Sequence, residues 1–291
     1  MSKLLKKYFI PYGGDTGGSG KSRNASLFAS LFRSRPGIST ALADGDPLNK
    51  STYDSYSQRD ASGNKIPSKD NDILIGCRMI ESTDATAASN EIFRVFEKVQ
   101  PDVFLVDGAA ASESDFSKTI SNNSEPEEFV ETLEELGYSL NLATTLLPKT
   151  KGKKRNEAVE SLQRLFDLYK DIPTVHFIVS LSFWEGDVMD NESDENFKYW
   201  FKHELREQLV ATGRYHEYKM VTLPDEVNTV TSQYEVPLSK FADADFCAEA
   251  EISIRVRNAI RKFLSLFEMQ MQADPYLREM FRLPDPEAVE G

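Results

Sequence analysis

The chain has 291 residues, 40% of them hydrophobic and 28% charged, which is ordinary globular usage and enough to bury a sizeable core. No stretch approaches the roughly 18 uninterrupted apolar residues of a membrane span, and a formal net charge of -13 excludes a protein that coats nucleic acid over its whole surface. Its two cysteines, Cys77 and Cys247, lack the spacing of a zinc site or a disulfide framework and are expected as buried thiols.

In chain order, the basic start and short apolar run MSKLLKKYFIPYGG lead straight into glycines, which reads as the first strand of a cytoplasmic protein rather than a signal peptide. Strand-length apolar runs follow at Lys7–Tyr12, Ser39–Ala43, Ile73–Ile80, Val103–Val106, Leu140–Leu147, Val175–Leu181 and Lys219–Leu223. Helix-period segments alternate with them at Lys21–Arg33, Ala87–Lys98, Pro126–Leu136, Asn156–Tyr169 and Asn196–Ala211, before a long amphipathic stretch from Phe241 to Ala273. That alternation predicts an α/β fold: a doubly wound, mostly parallel sheet flanked by helices, in a single domain over residues 1–283 with a flexible tail over 284–291. The polar segments Asn49–Asp72, Ser112–Ser124 and Asp187–Glu195 show almost no periodicity and are expected as mobile loops. His176, His203 and His216 show neither metal nor triad spacing.

The chemistry is concentrated where the first strand ends, in GGDTGGSGKS followed by the helical pattern SRNASLFASLF. Strand, glycine turn and helix is the context of a phosphate-binding loop. Its glycines let backbone N–H groups turn around phosphate oxygens, and the helix adds its positive dipole end. Asp15, Thr16, Gly17, Gly18, Ser19, Gly20, Lys21, Ser22 and Arg23 are the candidate nucleotide-binding residues, with Lys21 reaching the β- and γ-phosphates of ATP and Ser22 holding Mg²⁺. Asp15 stands where the strict GxxxxGK[ST] pattern has its first glycine. Two further strands end in carboxylates, STALADGDP at Asp44 and Asp46 and DVFLVDGAA at Asp107, at the edge where ligands bind in open α/β sheets. No NKxD-type guanine motif is present, which favours ATP over GTP.

The core TGGSGKS resembles the deviant Walker A loop, KGGxGK[ST], of the ParA/MinD family of partition and positioning ATPases, of the SIMIBI-like P-loop NTPases. Thr16 occupies the place of that family's signature lysine, which in the family crosses a dimer interface to the partner's nucleotide. The resemblance implies a catalytic role for Lys21, a switch I motif in which Asp46 positions the attacking water and Asp44 organises the Mg²⁺ shell, and a Walker B strand whose Asp107 holds Mg²⁺ ahead of a switch II beginning at Gly108. TLPDEVNTVTSQYEVPL is similar to the family's strand, Leu-Pro and short helix, which implies a base pocket near Leu223, Pro224 and Asp225. Where relatives carry an adenine-reading asparagine, this chain has Ser180, Leu181 and Ser182.

The function implied is an ATP-dependent homodimer that uses hydrolysis to switch a protein partner or cargo, in plasmid partition, conjugative transfer or intracellular positioning. The basic run Lys149, Lys151, Lys153, Lys154 and Arg155 follows a strand ending on the same edge, and two roles stay open for it beside that of a solvated loop. One of its lysines could supply charge to the nucleotide, in cis or across a dimer, or the run could contact DNA phosphates. The loop is also similar to the GTDTGxGKT loop of dethiobiotin synthetase, which implies an ATP-dependent ligase, and a non-hydrolysing nucleotide-binding module is the third reading.

Overall fold

A computed structural model of the chain describes residues 6–14, 17–80, 85–108, 125–190 and 193–285. Seven strands, β1 (Lys7–Tyr12), β2 (Thr40–Asp44), β3 (Arg78–Met79), β4 (Val103–Asp107), β5 (Tyr138–Leu146), β6 (His176–Trp184) and β7 (Tyr215–Val221), form one sheet in the order β3-β2-β4-β1-β5-β6-β7. Every pairing is parallel. Parallel strands covered on both faces need apolar side chains at every position, and β2, β4 and β5 are buried throughout. β7 is an edge strand and alternates buried with half-buried residues along YHEYKMV.

Between and after the strands run α1 (Lys21–Arg33), α2 (Ser51–Tyr56), α3 (Ala85–Arg94), α4 (Pro126–Glu135), α5 (Lys153–Tyr169), α6 (Lys198–Phe201), α7 (Glu204–Ala211), α8 (Asp225–Thr231), α9 (Ala244–Glu249), α10 (Ile254–Ala273) and α11 (Pro275–Met280). Strand alternation divides the interior into two cores. Phe9, Phe104, Leu140 and Phe177 face one layer with Phe129 of α4 and Leu162 of α5. Tyr8, Ile10, Leu105 and Ile178 face the other, with Phe28 of α1, Phe263 and Phe267 of α10, and Phe281. None of the described helices is long and apolar enough to cross a membrane. Cys77 and Cys247 are buried and unbridged.

Several elements depart from the sequence-based expectation. The expected strand Ile73–Ile80 is ladder-paired only at Arg78–Met79, because Arg33 reaches across to bond the carbonyls of Ile73, Ile75 and Gly76 and holds that backbone in a turn. Asn49–Asp72 is an ordered excursion rather than a mobile loop. It contains α2, an Arg59–Lys65 bridge and a 3₁₀ turn at Ser68–Asp70, held by side-chain-to-backbone bonds that leave no periodicity to read. The helix expected at Asn196–Ala211 is two, split where His203 caps α7 through the Leu205 amide. Phe241–Ala273 likewise breaks before α10, where Ser253 caps the new helix through the Val256 amide. Ser112–Ser124 lies outside the described residues, as do residues 286–291 of the tail.

Phe28 joins α1 to the C-terminal helices. Fully buried, it meets the rings of Tyr12, Phe32, Tyr218, Phe267 and Phe281. Phe28→Ala is expected to cost about 3–5 kcal/mol in urea or thermal unfolding, whereas Phe28→Leu should cost well under half as much. Equal losses for the two would show that cavity formation is not the cause.

Candidate functional site

β1 sits between β4 and β5, so the chain leaves its C-terminal end at the centre of the sheet, where an open parallel sheet offers a crevice. The turn after it is fastened from below. The amide of Gly13 donates to the Ala143 carbonyl, Thr144 Oγ1 donates to the Gly13 carbonyl, and Thr145 Oγ1 donates to Ser19 Oγ. Gly18 and Gly20 have φ of 74° and 94°, left-handed values that a side chain would strain. A Cβ at Gly20 would also lie 3.2 Å from Ser182 Oγ.

Gly20 is the N-cap of α1 and, as a glycine, offers no side chain to cap that turn. The first N–H groups of an α-helix lack intrahelical acceptors, so a glycine-capped helix start beneath a glycine turn is an anion-binding arrangement. A buried relay holds its geometry. Tyr12 OH lies 2.7 Å from Tyr218 OH, which donates to Asn24 Oδ1 at 2.6 Å, and Asn24 Nδ2 donates back to the Gly20 carbonyl at 3.0 Å. The relay ties β1, β7 and α1 to the loop.

Above the turn lies a cavity of about 290 Å³ lined by Gly17 to Arg23, Asp46, Asn49, Ser51, Gly108 and Phe183. It shares Ser22, Arg23, Asn49 and Ser51 with a neighbouring cavity of about 410 Å³, on whose wall Arg23 bonds Asn228 of α8. Lys21 is 7% exposed. Its ammonium, the Ser22 hydroxyl and Thr52 Oγ1, which donates to Asp107 Oδ2 at 2.6 Å, all favour the charged form of Asp107. Burial outweighs them and pushes that carboxyl up. Asp44 pairs with Asp107 in the β2–β4 register and is also fully buried. Burial first, then the charge of Asp107, push it up as well, although the Asp46 and Tyr53 amides bond its two oxygens.

Sequence comparison finds no family model and no curated protein that matches this chain. Solved structures do match it. A protein named as a plasmid partition protein, from Borrelia burgdorferi B31 and bound to AMPPNP, superposes with a TM-score of 0.51 at 12% identity, over 92% of this chain and 100% of that one. The MinD cell division protein of Aquifex aeolicus follows at 0.48 and 12%, over 92% and 98% of the two chains. A ParA family ATPase from Chlorobium tepidum TLS gives 0.46 and 14%, over 90% and 98%. The chain shares its fold with the Borrelia partition protein.

Within this fold the residues picked from the sequence fall into four groups. Gly17, Gly18, Ser19, Gly20, Lys21, Ser22, Arg23 and Asp46 come together around one cavity. Asp44 and Asp107 do not reach its wall and act on it through neighbours: Asp44 fixes the amides of Asp46 and Tyr53, and Asp107 holds Ser22 and Thr52. Leu223, Pro224 and Asp225 line neither cavity; Leu223 is buried, its carbonyl accepting from Asn228 Nδ2, and Pro224 caps α8. Asp15 and Thr16 lie outside the described residues. Asp46 spends Oδ1 on the amides of Leu48 and Asn49, so the Asp-Gly-Asp-Pro turn is built by the same carboxylate that faces the cavity.

Three participants were missed by sequence reasoning. Thr52 sits in a segment without periodicity, and Asn228 is one polar residue among many in α8. Phe183 reaches the wall only because β6 bulges between Ser182 and Trp184 and its φ turns to 64°, which no pattern of residues announces.

The carboxylate pair makes stability pH-dependent with a definite sign. Carboxyls raised above their unfolded values contribute stability that is complete below the ordinary carboxylate range and is lost as pH rises through the raised folded values. Asp107→Asn, which keeps an acceptor for Thr52 and removes one of two buried like charges, is therefore expected to raise the melting temperature of nucleotide-free protein by a few °C at about pH 8 and by less at about pH 5. A uniform loss at both pH values would contradict this account.

Proposed function

We propose that this chain is a ParA/MinD-like ATPase that binds ATP with Mg²⁺, dimerises in the ATP state and uses hydrolysis to switch a protein partner or cargo in the cytoplasm. The observation that carries the reading is the glycine-capped start of α1 beneath the left-handed Gly18 and Gly20, with Lys21 buried and the Ser22 hydroxyl bonded to Asp107. In this reading the turn and the first amides of α1 cradle the phosphates, Lys21 neutralises their charge, and Arg23 and Asn228 shape the adjoining cavity for the nucleoside.

The residues fit a divalent cation. Asp107 Oδ1 is buried without a hydrogen-bond partner among the described residues, and two buried carboxyls in register favour a nearby positive charge. Ser22 and Asp107 would hold Mg²⁺, with Asp44 arranging the surrounding turn. The metal would supply neutralisation of the charge that develops on the transferring phosphoryl group. Asp46, on the cavity wall with its turn fixed by Asp44, would orient the attacking water. Gly108, whose amide donates to the Tyr12 carbonyl, connects the site to the switch II segment that follows it. Plasmid partition, conjugative transfer and intracellular positioning are the settings in which such a switch would act.

Purified protein titrated with a fluorescent ATP analogue in Mg²⁺ is expected to bind it, and Lys21→Ala to weaken binding on the order of 100-fold, equivalent to about 2.7 kcal/mol. Light scattering after gel filtration should show a larger species with ATP than with ADP. Absence of binding by the unaltered protein, with Lys21→Ala identical to it, would end this reading. An ADP burst that requires a small carboxylate would replace it with a ligase.

A further inference from the structure

The basic run resolves into separate local roles. Lys151 lies 4.8 Å from the centre of the Phe183 ring. Lys153 is 91% exposed and pairs with Glu157 one turn along α5. Arg155 stacks on Tyr199 and bonds Asn156. Among the described residues Lys154 is the member of the run bonded to the glycine turn: its Nζ donates to the Gly17 carbonyl at 3.1 Å and lies 4.0 Å from where a Cβ on Gly18 would stand.

That placement runs against local preference. Lys153, Lys154 and Arg155 open α5, whose first turn contains no acidic residue, so three cations stand at the positive end of a 17-residue helix. A helix normally places anions there. A local rule broken three times in succession marks a place where a ligand supplies the missing negative charge. The cavity's own charge balance agrees, because Lys21 and Arg23 are the two cations on its wall, Asp46 stands on the same wall, and Arg23 bonds Asn228, which would leave a polyphosphate under-neutralised.

We propose that Lys154 is a nucleotide-binding residue acting in cis: it reaches from the start of α5 over the Gly17–Gly18 turn and adds a positive charge to the phosphate site of its own chain. The inference rests on the ATP-binding reading above. It makes Lys154, rather than the basic run as a whole, a component of the nucleotide site. The charge contributes more to a nucleoside triphosphate than to a diphosphate, because the triphosphate carries the additional negative charge.

The test is equilibrium titration with N-methylanthraniloyl-ATP and N-methylanthraniloyl-ADP, in Mg²⁺, of the full chain and of Lys154→Gln, Lys154→Arg, Lys153→Gln and Lys21→Ala. Lys154→Gln is expected to lose ATP affinity about 10-fold and ADP affinity by no more than about 3-fold. Lys154→Arg should recover most of the difference, and Lys153→Gln should match the unaltered protein. Equal losses for ATP and ADP would make Lys154 a strut for the Gly17 carbonyl and overturn the proposal, as would an unchanged ATP-to-ADP ratio. If Lys21→Ala abolishes binding while Lys154→Gln does not alter it, this inference fails alone. If the unaltered protein binds neither nucleotide, the ATP reading fails and takes this one with it.

Discussion

Two carboxylates stand side by side inside this sheet, and much of the site follows from them. β2 and β4 are neighbours, and their last residues, Asp44 and Asp107, are in register with no solvent contact. An isolated buried carboxylate is costly, and two adjacent ones repel, so every nearby donor is drawn toward them. The Asp46 and Tyr53 amides go to Asp44, and Thr52 and Ser22 go to Asp107. The first turn of α2, the Asp46 turn and the second residue of α1 are thereby gathered on one edge. Loops that would otherwise be independent become parts of one site because they satisfy the same pair of acids.

The opposite demand comes from the glycine turn. An anion site built from backbone amides works only if the backbone is already in place, since ordering it on binding would consume affinity. Gly18 and Gly20 allow the conformation but do not hold it; as glycines they make the turn entropically expensive to fix. The Tyr12–Tyr218–Asn24 relay holds it instead, reaching the Gly20 carbonyl through three fully or nearly fully buried side chains. Buried polar chains of this kind are stable only when each member is paired. This one begins on the central strand and ends on the loop, so the packing of β7 and α10 is transmitted to the glycine turn.

Much of this was legible in the sequence. The strand–glycine–helix context placed the start of α1 at Lys21, because the apolar repeat of Leu27, Phe28, Leu31 and Phe32 begins about two turns beyond the glycines. Asp44 and Asp107 were legible because an apolar run ending in an acid is itself a local pattern. What could not be read depends on distant pairing or on backbone detail. His176 and His216, 40 residues apart with no motif between them, become neighbours at 3.0 Å because β6 and β7 pair, and Asp274 then bonds His216 at 3.0 Å. Their rings stack with Tyr276 where those strands begin, away from the nucleotide edge. The excursion after Asn49 was misjudged for a related reason: its order comes from Asn71, Asp60 and Gln58 bonding backbone, and such bonds impose no period.

The overall acidity of the chain and its anion site are reconciled by where the charges sit. Net charge governs long-range encounter and solubility, and is screened beyond about 10 Å at ordinary salt. Binding is decided inside that distance. There the chain sets the helix start, Lys21, Arg23 and Lys154 around a turn that carries no side-chain charge over Gly17–Gly20, and Asp44 and Asp107 stand in register within the sheet edge. A net charge of -13 is therefore compatible with the proposed anion site at a single edge. The same partition explains why the basic run could not be interpreted from its composition: Lys151, Lys153, Lys154 and Arg155 are adjacent in sequence, yet an aromatic ring, a glutamate, a loop carbonyl and a tyrosine each take one of them.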